Sequence, residues 1–375
     1  MNKVFLSLAM VLSIATNPVS AKDDKASTAP AATAETTVST EAEASTEATA
    51  GAAAAASAAS ASADAKDAMP AATETSAVPT STTPRSPRRP RVGLALGGGG
   101  SRGAAHVGVL RVLLEEKIPI DLIAGTSIGS VVGGFYAAGV PMDRIAEVFE
   151  KNIFTKEFTP TPVLTVALVP FRLGGRLVGC KPYDGLFSGD KFKKYADRMA
   201  GGKKIEELKI PFAAVVTNVV TGQSCRLTEG DLGLAMQAST AVPELKKPVQ
   251  IGDKLYCDGG LINNVPVSHI RELGADFVIA VDIDEKLKDM PLEKFRALGS
   301  MGRQALKIQL ATFDQPNRKN ADIFLNPDTT GINLVSFKKG DGKRGIQAGV
   351  DAAREAMPEI KRKLAEIGIA TSELK

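Results

Sequence analysis

Histidine is almost missing from this 375-residue chain, which has two of them, His106 and His269, together with no tryptophan and three cysteines. Two histidines cannot build a histidine-rich metal centre, and they leave few ways to assemble a serine triad. Cys180, Cys225 and Cys257 match no zinc spacing and are too few for a disulfide framework, and an odd thiol remains even if two of them pair. Long apolar runs are scarce as well. Val4 to Thr16 is mostly apolar but shorter than the roughly 20 residues a bilayer span takes, and no later segment qualifies. The formal charge of +4 is too small to name a partner.

What is present falls into three parts. Met1-Asn2-Lys3 is a short basic start, and Val19-Ser20-Ala21 is a small-residue cleavage site, so residues 1–21 read as a secretory signal peptide. The protein is then expected to be exported, periplasmic or secreted, where it meets little nucleic acid. Residues 22–91 are Ala, Ser, Thr, Pro and Glu with almost no large apolar side chains. Such a segment cannot offset the roughly 1–2 kcal/mol per residue that ordering costs, and it is expected to be a disordered linker. Its end, Pro84 to Arg91, carries four arginines and reads as a solvated basic stretch able to touch a membrane surface. Residues 92–375 are long enough for one large α/β domain.

Within that domain, Arg91 to Leu96 is a short apolar run, Ala104 to Glu116 has apolar residues at helical spacing, Ile120 to Ala124 is a second buried strand, and Ser127 to Ala138 is a small-residue helix. Strand, helix, strand, helix implies a mainly parallel sheet with both faces covered. Pro211 to Asn218 and Phe277 to Asp282 read as further strands. Leu292 to Thr312 and Gly345 to Gly368 read as helices, the latter disturbed at Pro358. Residues 154–189 are proline- and glycine-rich with isolated apolar residues, and the reading is divided between a lid or acyl-chain wall and an ordinary insertion.

Three motifs carry chemistry. Gly97-Gly98-Gly99-Gly100-Ser101-Arg102-Gly103 lies between the first strand and the first helix, where bare backbone N–H groups and a helix N-terminus favour an anion. Gly98-x-Gly100-x-x-Gly103 also fits a dinucleotide fingerprint, but that motif wants an acidic residue near the end of the second strand, and Asp121 stands near its start. An oxyanion hole is the favoured reading. Gly125-Thr126-Ser127-Ile128-Gly129 follows a buried strand and opens a helix, the setting that presents a nucleophilic serine on a tight turn. Ser127 needs a base. One route is a triad of Ser127, Asp258 and His269; the other gives the proton directly to Asp258, in Cys257-Asp258-Gly259-Gly260. Val265 to Arg271 reads as a helix running away from Asp258, which favours the second. His106, just behind the glycine loop, reads as structural.

Taken together, Gly98 to Gly103, Gly125 to Gly129 and Asp258-Gly259-Gly260, with Ala238-Ser239-Thr240-Ala241-Val242-Pro243 upstream of the aspartate, resemble the patatin-like phospholipase family over about Val92 to Val281. The tight spacing and Leu261 to Pro266 are most similar to bacterial members related to neuropathy target esterase. The resemblance implies a three-layer α/β/α sandwich with a mainly parallel central sheet. It implies Ser127 as nucleophile, Asp258 as general base, and Gly98, Gly99 and Gly100 as backbone oxyanion donors, with Arg102 fixing their loop. The activity implied is hydrolysis of carboxylic esters in phospholipids, lysophospholipids or other ester lipids through an acyl-enzyme, with no metal and no cofactor. Neither a C2 domain nor an outer-membrane barrel is expected. Cys257 would place a reactive thiol beside the aspartate. A catalytically silent module that binds lipid or a protein is the alternative from another class, against which the intact Ser127, Asp258 and glycine loop argue.

Overall fold

β1 (Val92–Leu96) is apolar without a break because both of its faces are covered. The computed structural model describes residues 88–159, 185, 187–243, 245–284, 289–296 and 300–369. The signal peptide, most of the linker and residues 160–184 of the lid lie outside the described residues. On one face of β1, Leu94 and Leu96 join a large core with Val107 and Leu110 of α1 (Ala104–Glu115) and Val131 and Phe135 of α2 (Ile128–Ala137). On the other, Ala95, with Ala124 and Ala280 of neighbouring strands, packs against Val267 and Ile270 of α7 (Val267–Glu272). The result is the expected three layers, helices on both faces of a mostly parallel sheet.

β8 (Ile323–Leu325), β7 (Phe277–Val281), β1, β2 (Leu122–Thr126) and β3 (Phe212–Asn218) run parallel in that spatial order. β4 (Gln223–Leu227) and β6 (Lys254–Asp258) both pair antiparallel with β3, and β5 (Val249–Ile251) pairs with β6. Registers fix a detail that decides the site. Ala214 and Val215 pair with β2 and with β4, whereas Val216, Thr217 and Asn218 pair with β4 and with β6. A strand has two edges, so β6 occupies the edge of β3 that β2 leaves free. β2 arrives at Val215 with Thr126, and β6 arrives from the opposite direction at Val216 with Asp258. The two strand ends meet head to head.

Three expectations change. The ordered chain reaches back at least to Arg88: Arg88 pairs with Asp276 at 2.8 Å, Arg89 pairs with Asp121, and the Arg91 N–H donates to Asp276 at 2.7 Å. The last arginines of the basic stretch are therefore clasps on the N-terminal end of the sheet rather than a solvated linker. Leu292 to Thr312 is divided into a short 3-10 turn (Leu292–Arg296) and α8 (Ser300–Phe313). The helix α10 (Asp341–Glu366) instead continues through Pro358. Its proline and the residue whose carbonyl it leaves free, Arg354, are exposed, while Ala353, Met357, Ile360 and Leu364 form a buried stripe that spans the interruption.

Candidate active site

Ser127 sits between β2 and α2 with φ 50° and ψ −121°, a conformation L-residues avoid, and it caps the helix that follows. Such geometry costs of order 1–3 kcal/mol and persists only where its surroundings hold it. Two contacts do so here: the Ser127 N–H donates to Ser239 Oγ at 2.9 Å, and the Ser239 hydroxyl donates to the Val215 carbonyl at 2.7 Å. Gly129 lets the helix lie directly on β1, because a Cβ there would overlap the Leu96 carbonyl. Ser239 comes from the Ala-Ser block at the end of α6 (Leu232–Ser239), and its part in holding the elbow was not readable from spacing.

Asp258, at the end of β6, is buried. Its carboxylate accepts the Gly260 N–H at 2.8 Å, and the side chain of Ser127 is near enough to help lower its pKa. Burial raises its pKa to about 6, against the lowering influence of the Gly260 N–H, the Ser127 hydroxyl and the positive charge of Lys246. The backbone N–H of Asp258 donates to Ala241 at 3.0 Å, so the loop after α6 is fastened to the aspartate.

His269 does not join this pair. Its Nε2 lies 2.7 Å from Ser224 Oγ on β4, and its Nδ1 has no hydrogen-bond partner. Burial lowers its pKa, so the neutral ring is favoured. Of the two candidate bases, only Asp258 is brought beside Ser127. Substituting His269→Ala should leave ester hydrolysis and its pH profile at wild-type values while costing about 1–3 kcal/mol of stability, readable by thermal melts. His106 is likewise structural: buried, held neutral with a pKa lowered to about 4 by desolvation, it donates Nε2–H to the Gly97 carbonyl at 2.8 Å.

The glycine loop closes the site. The expected trio of donors narrows to two, because the Gly98 N–H is already committed to the Asn264 carbonyl at 3.2 Å. The N–H groups of Gly99 and Gly100 have no hydrogen-bond partner among the described residues. Arg102 is no donor at the reacting centre: its Nε–H donates to the Ile332 carbonyl at 2.8 Å and its guanidinium lies 3.6 Å from Asp284, pinning the loop from behind. The Asn264 side chain donates to Asp284 at 2.8 Å, and the Asn263 carbonyl accepts the Thr126 hydroxyl at 3.0 Å. The segment after Asp258 thus ties glycine loop, elbow and aspartate together. A Cβ on Gly98 would overlap the Asn264 side-chain oxygen and stand 3.2 Å from Ser127 Cβ. Gly98→Ala is expected to lower kcat by about 10²-fold, since small displacements of reacting groups have that effect.

The remaining readings also find their places. Asp121, the one acid available to a dinucleotide site, is engaged by Arg89 and the Val92 N–H, at the end of the sheet remote from the glycines. Cys257 is buried, its thiol pushed up to about 12 by desolvation and by the charge of Asp258, so it is inert rather than reactive. Cys225 and Cys257 stand on opposite edges of β3, about 10 Å apart at two strand spacings, too far for a disulfide with each other. No group of three or more His, Cys, Asp or Glu side chains able to hold a metal occurs among the described residues.

Residues 94–270 match the family model for patatin-like phospholipase. An uncharacterised NTE family protein of Mycobacterium tuberculosis is 34% identical over 194 residues, which are 52% of this chain and 49% of that protein. Human patatin-like phospholipase domain-containing protein 6 is 33% identical over 196 residues, covering 51% of this chain and 13% of that one. The chain thus spans about half of the first relative's length and far less of the second's. Among solved structures, VipD from Legionella pneumophila is similar with a TM-score of 0.43 at 14% identity, covering 72% of this chain and 67% of its own. Human GIVD cytosolic phospholipase A2 gives a TM-score of 0.41 at 13% identity, covering 74% and 59%. Residues 94–270, with their glycine loop, serine elbow and Asp-Gly-Gly turn, form a patatin-like phospholipase domain.

Proposed function

We propose that this protein is a lipid acyl hydrolase that cleaves carboxylic ester bonds of phospholipids or lysophospholipids with a Ser127–Asp258 dyad. The observation that carries the reading is the meeting of the two strand ends, which brings the buried Asp258 beside Ser127, at an elbow strained to φ 50°.

In this reading Ser127 Oγ attacks the ester carbonyl carbon as its proton passes to Asp258. The carbonyl π electrons move onto oxygen, and the alkoxide that forms is met by the free N–H groups of Gly99 and Gly100 and by the N-terminus of α2. Collapse of the intermediate breaks the ester C–O bond, the leaving alcohol takes the proton from Asp258, and the acyl group stays on Ser127. Water then repeats the sequence: Asp258 removes its proton, the acyl bond to Ser127 breaks as Asp258 returns that proton to Ser127 Oγ, and the fatty acid leaves. A carboxylate of ordinary strength would be a weak base for this work. Its removal from water brings the affinity of Asp258 for a proton closer to neutrality, which is what a general base at physiological pH requires.

The test is one panel of phospholipid, lysophospholipid, triacylglycerol and short p-nitrophenyl esters, run with wild type and Ser127→Ala. The reading expects serine-dependent release of fatty acid from at least one phospholipid or lysophospholipid. Serine-independent turnover, or none with any ester, would transfer support to the silent binding module.

A further inference from the structure

Lys246 lies between α6 and β5 and is 1% exposed. Its Nζ has no hydrogen-bond partner. It rests 3.5 Å from the ring centroid of Phe158 and 4.7 Å from that of Phe192, two rings set edge to face at 6.2 Å. Its loop is bound to the aspartate strand, where the Asp258 N–H donates to Ala241, and is closed on itself by the Lys246 N–H, which donates to Val242 at 2.9 Å. A buried ammonium with three unmet N–H groups is expensive, and the aromatic faces offset only part of that cost. Among the described residues, the one charged group that acts on it is Asp258. The dependence is mutual, because among the described residues the charge that reaches Asp258 is that of Lys246, the other influences being the Gly260 N–H and the Ser127 hydroxyl. The neighbouring Cys257 is a neutral thiol.

We propose that Lys246 is a positioning residue for the reaction: its ammonium, held on the faces of Phe158 and Phe192 without a hydrogen-bond acceptor, acts through space on the Asp258 carboxylate and keeps it ionised and available to Ser127. This rests on the dyad reading above. The protonation states agree with it. Burial lowers the pKa of Lys246 to about 7 against the raising influence of Asp258, so the ammonium is present while Asp258 ionises near 6. A methionine at the same place would fill the aromatic pocket equally well and would bring no charge.

The experiment measures fluorophosphonate labelling of Ser127 against pH in wild type, Lys246→Met and Lys246→Arg, with melts at each pH to show that the variants are folded. In Lys246→Met the acid limb should move to higher pH by about one unit, as expected when a nearby opposite charge is removed. In Lys246→Arg, where the charge is kept, it should stay at the wild-type position. Coupling between sites is reciprocal. The Nζ titration of Lys246, followed by NMR with labelled lysine, should therefore fall to lower pH in Asp258→Asn, a readout that does not depend on how the Lys246 variants fold. An unshifted acid limb in folded Lys246→Met, or an unshifted Nζ titration in Asp258→Asn, would overturn the proposal. Failure of the dyad itself looks different: Asp258→Asn would then label Ser127 as fast as wild type.

Discussion

Ser127→Ala should lower kcat for every ester substrate by about 10⁴-fold or more, the loss typical when a serine nucleophile is deleted. The neighbouring Thr126 hydroxyl, at the end of β2, is committed to the Asn263 carbonyl at 3.0 Å. Two other serines nearby cannot substitute for Ser127, because the Ser130 hydroxyl donates to the Ser127 carbonyl at 2.6 Å and Ser101 accepts the Ser336 N–H at 2.9 Å. The variant should also stay folded. Alanine adopts the same backbone, the N–H contact to Ser239 does not involve the deleted atom, and stability should change by less than about 1 kcal/mol. Loss of the hydroxyl removes one of the influences that lower the Asp258 pKa, so the carboxyl should take up its proton at a slightly higher pH than in wild type. Comparison of melts and rates separates a lost nucleophile from a lost fold.

Asp258→Asn should lower kcat by about 10³-fold, within the range general acid–base catalysis contributes, because an amide of the same shape cannot accept the Ser127 proton. The same change should raise stability, with a pH dependence that runs in a definite direction. Burial raises the folded-state pKa of Asp258 from 3.8 to about 6, so the folded protein prefers the neutral acid and loses stability as pH rises through that range. Asparagine is neutral throughout. Its gain should be near zero at pH 4 and reach up to about 3 kcal/mol at pH 8, roughly two pKa units at 1.36 kcal/mol each. At that pH Lys246, with its pKa lowered to about 7, is mostly neutral and does not need the carboxylate. A variant that is both more stable and nearly inactive would mark Asp258 as a residue kept for chemistry at the expense of the fold.

The serine elbow was legible because its determinants are local. Gly125 and Gly129 on either side of Ser127, between an apolar run and a small-residue helix, leave one sensible geometry. The glycine loop was legible for the same reason, though not the diversion of the Gly98 N–H to Asn264, which comes from a segment far along the chain. Whether Asp258 reaches Ser127 was not legible. That depends on β6 entering antiparallel on the edge of β3 that β2 vacates, and no periodicity in Lys254 to Asp258 encodes a partner strand. Ser239 stands out in the sequence only as part of the Ala-Ser block, with no role attached, and nothing in the sequence distinguishes Lys246 from a surface lysine. Only the tertiary arrangement of Phe158, Phe192 and Asp258 gives Lys246 a meaning. The clasp of Arg88 and Arg89 on Asp276 and Asp121 was hidden likewise, since proline-flanked arginines look the same whether solvated or paired.

Labelling of Ser127 by a fluorophosphonate, timed across pH in wild type, Asp258→Asn and His269→Ala, tests the central claim most directly, because it reads the reactivity of one oxygen without any dependence on the lipid chosen. With Asp258 as the base, wild-type labelling should rise as pH passes through about 6, His269→Ala should reproduce that curve, and Asp258→Asn should label far more slowly at every pH. An Asp258→Asn variant that labels at the wild-type rate, or a His269→Ala variant that does not label, would contradict the dyad.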